Sequence, residues 1–64
     1  MNKIGSRVVI SADDGGDPYA ATITNNGKNM YEIHYDGCEE DDRVWLPREK
    51  VCGWLYVASN NLLD

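Results

Sequence analysis

Apolar and polar residues alternate in short runs along this chain, and turn-forming residues separate the runs. No segment repeats its apolar residues at the roughly 3.6-residue spacing of an amphipathic helix. β-branched and aromatic residues that alternate with polar ones are typical of strands. The pattern therefore predicts strands at residues 7–10, 19–24, 30–35, 43–46 and 51–57.

Glycine, proline, asparagine and aspartate mark the turns between these strands. The run Asp13–Pro18 holds glycines and a proline, which cannot donate to a β-ladder. Asn25–Lys28 contains the strongest local signal, an Asn-Gly pair, and predicts a tight hairpin with a positive φ angle at the turn. Asp36-Gly37 predicts another turn, and residues 48–50 are enough for one short 3₁₀ turn.

The length of the chain limits the architecture. Its 64 residues make one small domain with a marginal core. Closing a sheet of short strands into a barrel removes exposed strand edges. We therefore expect an all-β, antiparallel, five-stranded barrel over residues 1–57, followed by a C-terminal tail, residues 58–64, to which the pattern assigns no structure.

The charge balance and the cysteine content argue against several functions. The chain has eleven acidic and six basic residues, a net charge of −5, whereas a binder of nucleic-acid backbones needs a basic face. No apolar run approaches the roughly 20 residues of a membrane span, and the N-terminus lacks the apolar core of a signal peptide. Cys38 and Cys52 are too few for a disulfide scaffold, so we expect free thiols in a reducing compartment, the cytoplasm or the nucleus.

Chain reversal predicts where the acidic residues gather. In an antiparallel sheet, the loops after the first and third strands lie at the same end. These loops carry eight of the eleven acidic residues, Asp13, Asp14, Asp17, Asp36, Glu39, Glu40, Asp41 and Asp42. Tyr19 begins the second strand and Tyr35 ends the third, so both rings are predicted at this acidic end.

Aromatic rings beside carboxylates suit a cation. A lysine or arginine side chain over an aromatic face gains roughly 0.5–2 kcal/mol, and carboxylates add a long-range attraction that salt weakens. The same residues fit a simpler interpretation, in which the acidic loops keep a small protein soluble and the tyrosines cap the core. The residues alone leave both interpretations open.

Other residues that could carry chemistry lack the partners that it needs. Neighbouring carboxylates such as Glu39 oppose ionisation of the Cys38 thiol. His34 has no serine or cysteine placed as a catalytic partner, and the acidic loop does not follow the spacing of an EF-hand. We therefore expect no enzymatic activity, no metal and no cofactor. Trp54 and Tyr56 are predicted to serve the core or self-association.

Several segments of the chain share their pattern with a known family. They are Gly5–Val8, Tyr19–Ile23, Tyr31–Gly37 and Val44–Pro47, with Val51 after them. The most specific part is the run Ile33–Gly37, followed by Trp45 with an apolar residue and a proline after it. This pattern resembles the chromo-barrel and Tudor-knot branch of the Tudor superfamily over residues 5–52.

The resemblance implies a five-stranded SH3-like barrel without enzymatic activity. Members typically bind methylated lysine or arginine in an aromatic cage on chromatin proteins, and some bind nucleic acid or only proteins. Tyr19 and Tyr35 match two cage aromatics, whereas Cys38 and Asp42 stand where the family usually has cage tryptophans. A carboxylate there favours lower methylation states, or unmodified lysine or arginine, because their N–H groups can donate to it.

We therefore predict a non-enzymatic module that captures a lysine or arginine side chain, methylated or not, of a basic, histone-tail-like peptide or protein. Its ligand-binding residues would be Tyr19, Tyr35, Asp14, Asp17, Asp36, Cys38, Glu39 and Asp42. The alternative is a small acidic inhibitor that imitates nucleic acid in the basic groove of a nucleic-acid-binding protein. We expect no direct nucleic-acid contact, because the six basic residues are scattered, and no membrane contact.

Overall fold

The computed structural model describes residues 3–58, which form antiparallel strands and a short 3₁₀ helix. The elements are β1 (Arg7–Ile10), β2 (Tyr19–Asn26), β3 (Met30–Tyr35), β4 (Val44–Pro47), the 3₁₀ helix (Arg48–Lys50) and β5 (Val51–Tyr56). The five strands make one sheet in the order β4-β3-β2-β1-β5. This confirms the predicted all-β fold class. Apart from Ala58, the predicted tail lies outside the described residues.

The sheet must curl, because its two edge strands follow one another in the chain. In a flat sheet, four strand spacings of about 4.8 Å would place β4 and β5 about 19 Å apart. The 3₁₀ helix that joins them has only three residues, each advancing about 2 Å. The result is a small SH3-like barrel. The rings of Tyr31 on β3 and Trp54 on β5, which are not neighbouring strands, meet with their centroids 6.0 Å apart.

The core lies inside the curled sheet and is small. Alternate residues of β1, β2 and β3 point inward, as the period of a strand requires. The buried apolar side chains are Val8, Ile10, Ala21, Ile23, Tyr31 and Ile33, with Tyr35, Leu46 and Val51 packed against them. The buried Ser6 hydroxyl accepts a hydrogen bond of 2.8 Å from the Ala58 amide, which holds the end of the described chain against its beginning.

The β2–β3 hairpin differs from the prediction. The structure leaves residues 27–29 as the connection, and Gly27 does not have the positive φ angle that was expected. Thr24 is an extra residue between the pairs Ile23↔Ile33 and Asn25↔Glu32. Because this bulge changes the register before the turn, the hairpin does not need the two-residue turn that an Asn-Gly pair favours.

Gly27 is nevertheless needed, for a steric reason. A Cβ atom at this position would lie 2.9 Å from the ring of Trp45 and 3.3 Å from the carbonyl oxygen of Met30. The absent side chain therefore lets the Trp45 ring lie directly against the hairpin. At the predicted Asp36-Gly37 turn, in contrast, Gly37 does have a positive φ, of 87°.

Shortening Ile33 to alanine should lower the free energy of unfolding by about 2–5 kcal/mol, because the side chain is fully buried among other core residues. Urea titration followed by tryptophan fluorescence would measure the loss. Met30→Ala, on the same strand but exposed, is the matched control and should change stability by only about 0.5 kcal/mol. Equal losses in the two variants would contradict this account of the core.

Candidate functional site

Both acidic loops flank the beginning of β2. Ile10, the last residue of β1, pairs with Tyr19, and the Asp36 amide after β3 donates to the carbonyl of Ala20 at 3.0 Å. The loop after β1 and the loop after β3 therefore lie at the same end of the barrel, as the antiparallel order predicts. We call this the acidic end.

Two tyrosine rings meet at the acidic end. Tyr19 and Tyr35 are in edge-to-face contact, with ring centroids 5.7 Å apart and ring planes at 73°. Tyr19 is 54% exposed, whereas Tyr35 packs partly against the core. Burial, and then the negative charge of Asp13, raises the pKa of the Tyr35 phenol, so this ring is a neutral aromatic surface at physiological pH.

Two hollows share the tyrosine pair as part of their lining. The outer hollow is an open depression of about 360 Å³, lined by Tyr19, Tyr35, Asp36 and Cys38. The inner hollow is more enclosed and measures about 80 Å³. Its lining comprises Ile10, Ser11, Ala12, Asp13, Tyr19, Tyr35, Leu46 and Lys50. The outer hollow has the size of a small ligand site, and the inner one has room for only a few atoms.

Asp36, beside the outer hollow, is paired with an arginine of the same chain. The Arg7 guanidinium donates two hydrogen bonds to its carboxylate, of 2.8 and 2.7 Å, and a third of 2.8 Å to the Thr22 hydroxyl. This two-pronged hydrogen bond holds the pKa of Asp36 below its ordinary value. The pair also ties the loop after β3 to β1 and β2, so the position of the outer hollow depends on Arg7.

Asp13, beside the inner hollow, is paired with a lysine of the same chain. The Lys50 ammonium at the end of the 3₁₀ helix forms an ion pair with its carboxylate, which raises the pKa of Lys50. The Ser11 amide also donates to the Lys50 carbonyl at 3.0 Å. The two carboxylates that line the tyrosine hollows are therefore each paired with a cation of this chain.

His34 organises the loop that carries Cys38. Its Nε2 atom lies 2.7 Å from the Glu39 carbonyl oxygen and 3.2 Å from that of Cys38. Because carbonyl oxygens only accept, Nε2 carries the proton and donates. The imidazole thus holds the turn after Gly37 and helps to place Cys38 at the outer hollow.

The predicted site residues separate into two groups. Asp36 and Cys38 line the outer hollow with the two tyrosines. Glu39 lies with Glu40, Asp41 and Arg43 around a separate open depression. Three more predicted site residues are exposed and line neither tyrosine hollow: Asp14, Asp17 and Asp42. The Asp14 carboxylate stabilises its own turn by accepting a hydrogen bond of 2.9 Å from the Gly16 amide.

Sequence reasoning missed Arg7, Asp13 and Lys50 at this site. Asp13 had been placed at the acidic end but was not among the predicted binding residues. Arg7 and Lys50 are 29 and 37 residues from their partners, and no local pattern marks such a pairing. For Arg7, the available signal was the alternation of side chains along β1, which places Arg7 on the face away from the core.

No protein-family model, curated protein or solved structure matches this chain. The protein is therefore classified by its own fold and site, as a small all-β barrel with a tyrosine pair at its acidic end. Within residues 3–58, no three histidine, cysteine, aspartate or glutamate side chains are grouped as metal ligands. None of the helical structure in that range has the length and apolar character needed to cross a bilayer.

The Arg7–Asp36 pair predicts a specific acid response. Because the pair favours the ionised carboxylate in the folded state, its stabilisation is complete above the unfolded-state pKa of about 3.9 and is lost as the pH falls through the lower folded-state pKa. Carboxyl NMR titration should find Asp36 ionised at lower pH than an ordinary aspartate. In Arg7→Gln, the pKa of Asp36 should rise, because the hydrogen-bonded guanidinium that lowers it is gone.

Arg43→Gln is the control for that titration. It removes the same charge from another guanidinium bound to the loop after β3, but Arg43 donates to the carbonyl of Glu40 and not to Asp36. The pKa of Asp36 should stay low in this variant. A rise of equal size in both variants would mean that general charge, and not the hydrogen-bonded pair, controls the carboxyl.

Proposed function

We propose that this protein is a non-enzymatic binding module that captures a lysine or arginine side chain of a basic peptide at the outer hollow. The observation that carries the proposal is the Tyr19–Tyr35 pair, which offers solvent-accessible aromatic surface between the two acidic loops. The resemblance to the Tudor superfamily, whose members bind such cations in aromatic cages, supports the same function. A histone-tail-like peptide, methylated or not, is the proposed ligand.

The walls of the outer hollow suit the head of a cationic side chain. Tyr19 and Tyr35 present aromatic rings, and the exposed lining of the hollow as a whole is mainly apolar, with the Asp36 carboxylate at one side. A cation over such a ring gains roughly 0.5–2 kcal/mol, with more when water is displaced. The Cys38 side chain, exposed at the edge of the hollow, would contact the aliphatic part of the guest.

The carboxylates would act mainly at long range. Asp36 and Asp13 are already paired within the chain. The remaining acidic-loop residues keep the end of the barrel negative, and such a field speeds the approach of a positive partner. Binding should therefore weaken as salt rises, because exposed charges are screened over about 8–10 Å.

Lys50 would compete with a cationic guest, because its ammonium neutralises a carboxylate beside the same tyrosine pair. Its ammonium lies at the inner hollow beside Asp13, with both tyrosines in the same lining. This is the combination of carboxylate and aromatic ring that a guest lysine would seek. We therefore expect the chain's own lysine to keep Asp13 occupied and to limit the affinity for small cations.

The acidic-inhibitor alternative rests on the carboxylates outside the tyrosine hollows. Among the described residues, those that form no ion pair include Asp17, Glu39, Glu40, Asp41 and Asp42. Exposed carboxylates of this kind could occupy a basic groove without using the tyrosines. Capture of partners at low and high salt separates the two functions: a basic nucleic-acid-binding enzyme retained by Tyr35→Ala would favour the inhibitor.

Tyr35→Ala should weaken binding of a lysine peptide about tenfold, because it removes one aromatic wall of the hollow. Calorimetric titration with unmodified, monomethylated, dimethylated and trimethylated versions of one basic peptide would measure this. Tyr35→Phe keeps the ring and should bind almost as the unmodified protein does. Tyr56→Ala, an exposed tyrosine outside the acidic end, is the control. Unchanged affinity in Tyr35→Ala would remove the proposed site.

Lys50→Met should tighten binding of the same peptide about threefold, because it frees the Asp13 carboxylate and keeps the apolar stem of the side chain. Lys28→Met makes the same change in net charge at the opposite end of the barrel and controls for general electrostatic attraction. If both variants bind equally well, Lys50 is not a competitor, and only the summed charge matters.

A further inference from the structure

A second surface of the molecule is apolar and has no role in the proposed site. Four consecutive residues at and just after the end of β5, Trp54, Leu55, Tyr56 and Val57, are between 41% and 61% exposed. Ile4, which is also exposed, lies nearby, because its neighbour Gly5 approaches the side chain of Ala58. We call these five residues the β5 patch. Soluble monomers seldom expose such a run of large apolar side chains.

The β5 patch is a consequence of an irregular edge strand. β5 pairs with β1 on one side, and it ends the strand order of the described sheet on the other. Leu55 is an extra residue between the pairs Arg7↔Tyr56 and Val8↔Trp54. A bulge of this kind interrupts the alternation of faces, so apolar side chains that would otherwise alternate between core and solvent are all partly exposed.

Charge separates this patch from the acidic end. β5 begins at the acidic end, where Val51 pairs with Ile10, and ends at the far side, where Tyr56 pairs with Arg7. The patch contains no carboxylate, and the Lys3 ammonium lies over one of its rings, 5.1 Å from the Trp54 ring centroid. Two molecules of net charge −5 repel each other least when they meet through this surface.

The small core gives a second reason for a partner copy. Only six apolar side chains are buried in the described part of the chain, and both cysteines are free. Domains of this size commonly gain stability from disulfides, a metal or oligomerisation. Within residues 3–58, oligomerisation is the one of these with a matching feature, the β5 patch.

We propose that two copies of this chain associate through their β5 patches. In a two-fold arrangement, each patch meets an identical one, so Leu55 and Tyr56 of one copy would pack against the same residues of the other. Trp54 would remain in contact with Tyr31 and form the floor of the interface. The two acidic ends would then point away from each other, with both tyrosine hollows accessible.

Sedimentation equilibrium on the full chain tests the proposal. Between about 1 μM and about 1 mM, the apparent mass should rise from 7.2 kDa towards twice that value. Leu55→Asp should remain monomeric over the range, with at least a tenfold higher dissociation constant, on the order of 1.4 kcal/mol. Val44→Asp, at an exposed position of the other edge strand, should associate as the unmodified chain does.

The melting temperature provides a check that does not depend on the Leu55 variant folding. If only the dimer is stabilised, the melting temperature of the unmodified chain must rise with protein concentration. A chain that stays at 7.2 kDa throughout, with a constant melting temperature, overturns the proposal. A second result would also overturn it: a chain that stays monomeric and loses stability in the double variant Leu62→Asp, Leu63→Asp. That result would mean that residues 59–64 of the same chain cover the patch.

Discussion

The structure depends on one constraint, the three-residue link between the two edge strands. Because the 3₁₀ helix joins β4 directly to β5, the sheet cannot stay flat. The same curvature brings Trp54 onto Tyr31 and carries Lys50 to Asp13 beside the tyrosine pair. The ring contact beneath the β5 patch and the ion pair beside the tyrosines thus both depend on how one short connection closes the sheet.

The electrostatics of the acidic end operate on two length scales. At short range, Arg7 and Lys50 balance the two carboxylates beside the rings. At long range, the carboxylates without an internal partner keep that end negative. In the proposed function, the carboxylates without an internal partner would attract a basic partner. Its binding would then depend on contact with the aromatic rings and on competition with Arg7 and Lys50 for the paired carboxylates.

The two ends of the barrel differ in character because strand direction sorts the residues. The acidic loops follow β1 and β3, and the apolar end of β5 lies at the other side. A surface for self-association and a surface for a cationic ligand can therefore coexist in a chain of 64 residues. If both proposals hold, the dimer would present two tyrosine hollows in opposite directions, which would favour partners with several basic segments.

Local alternation and turn residues were sufficient for the strands and the acidic end, because the side-chain period and chain reversal are properties of neighbouring residues. Tertiary structure decided the rest. The hairpin has a bulge at Thr24 and lacks the positive φ expected at Gly27. Register brought Arg7 to Asp36 and left Asp42 outside the hollow. Such pairings join residues far apart in the chain, and their register depends on bulges and closure of the whole sheet.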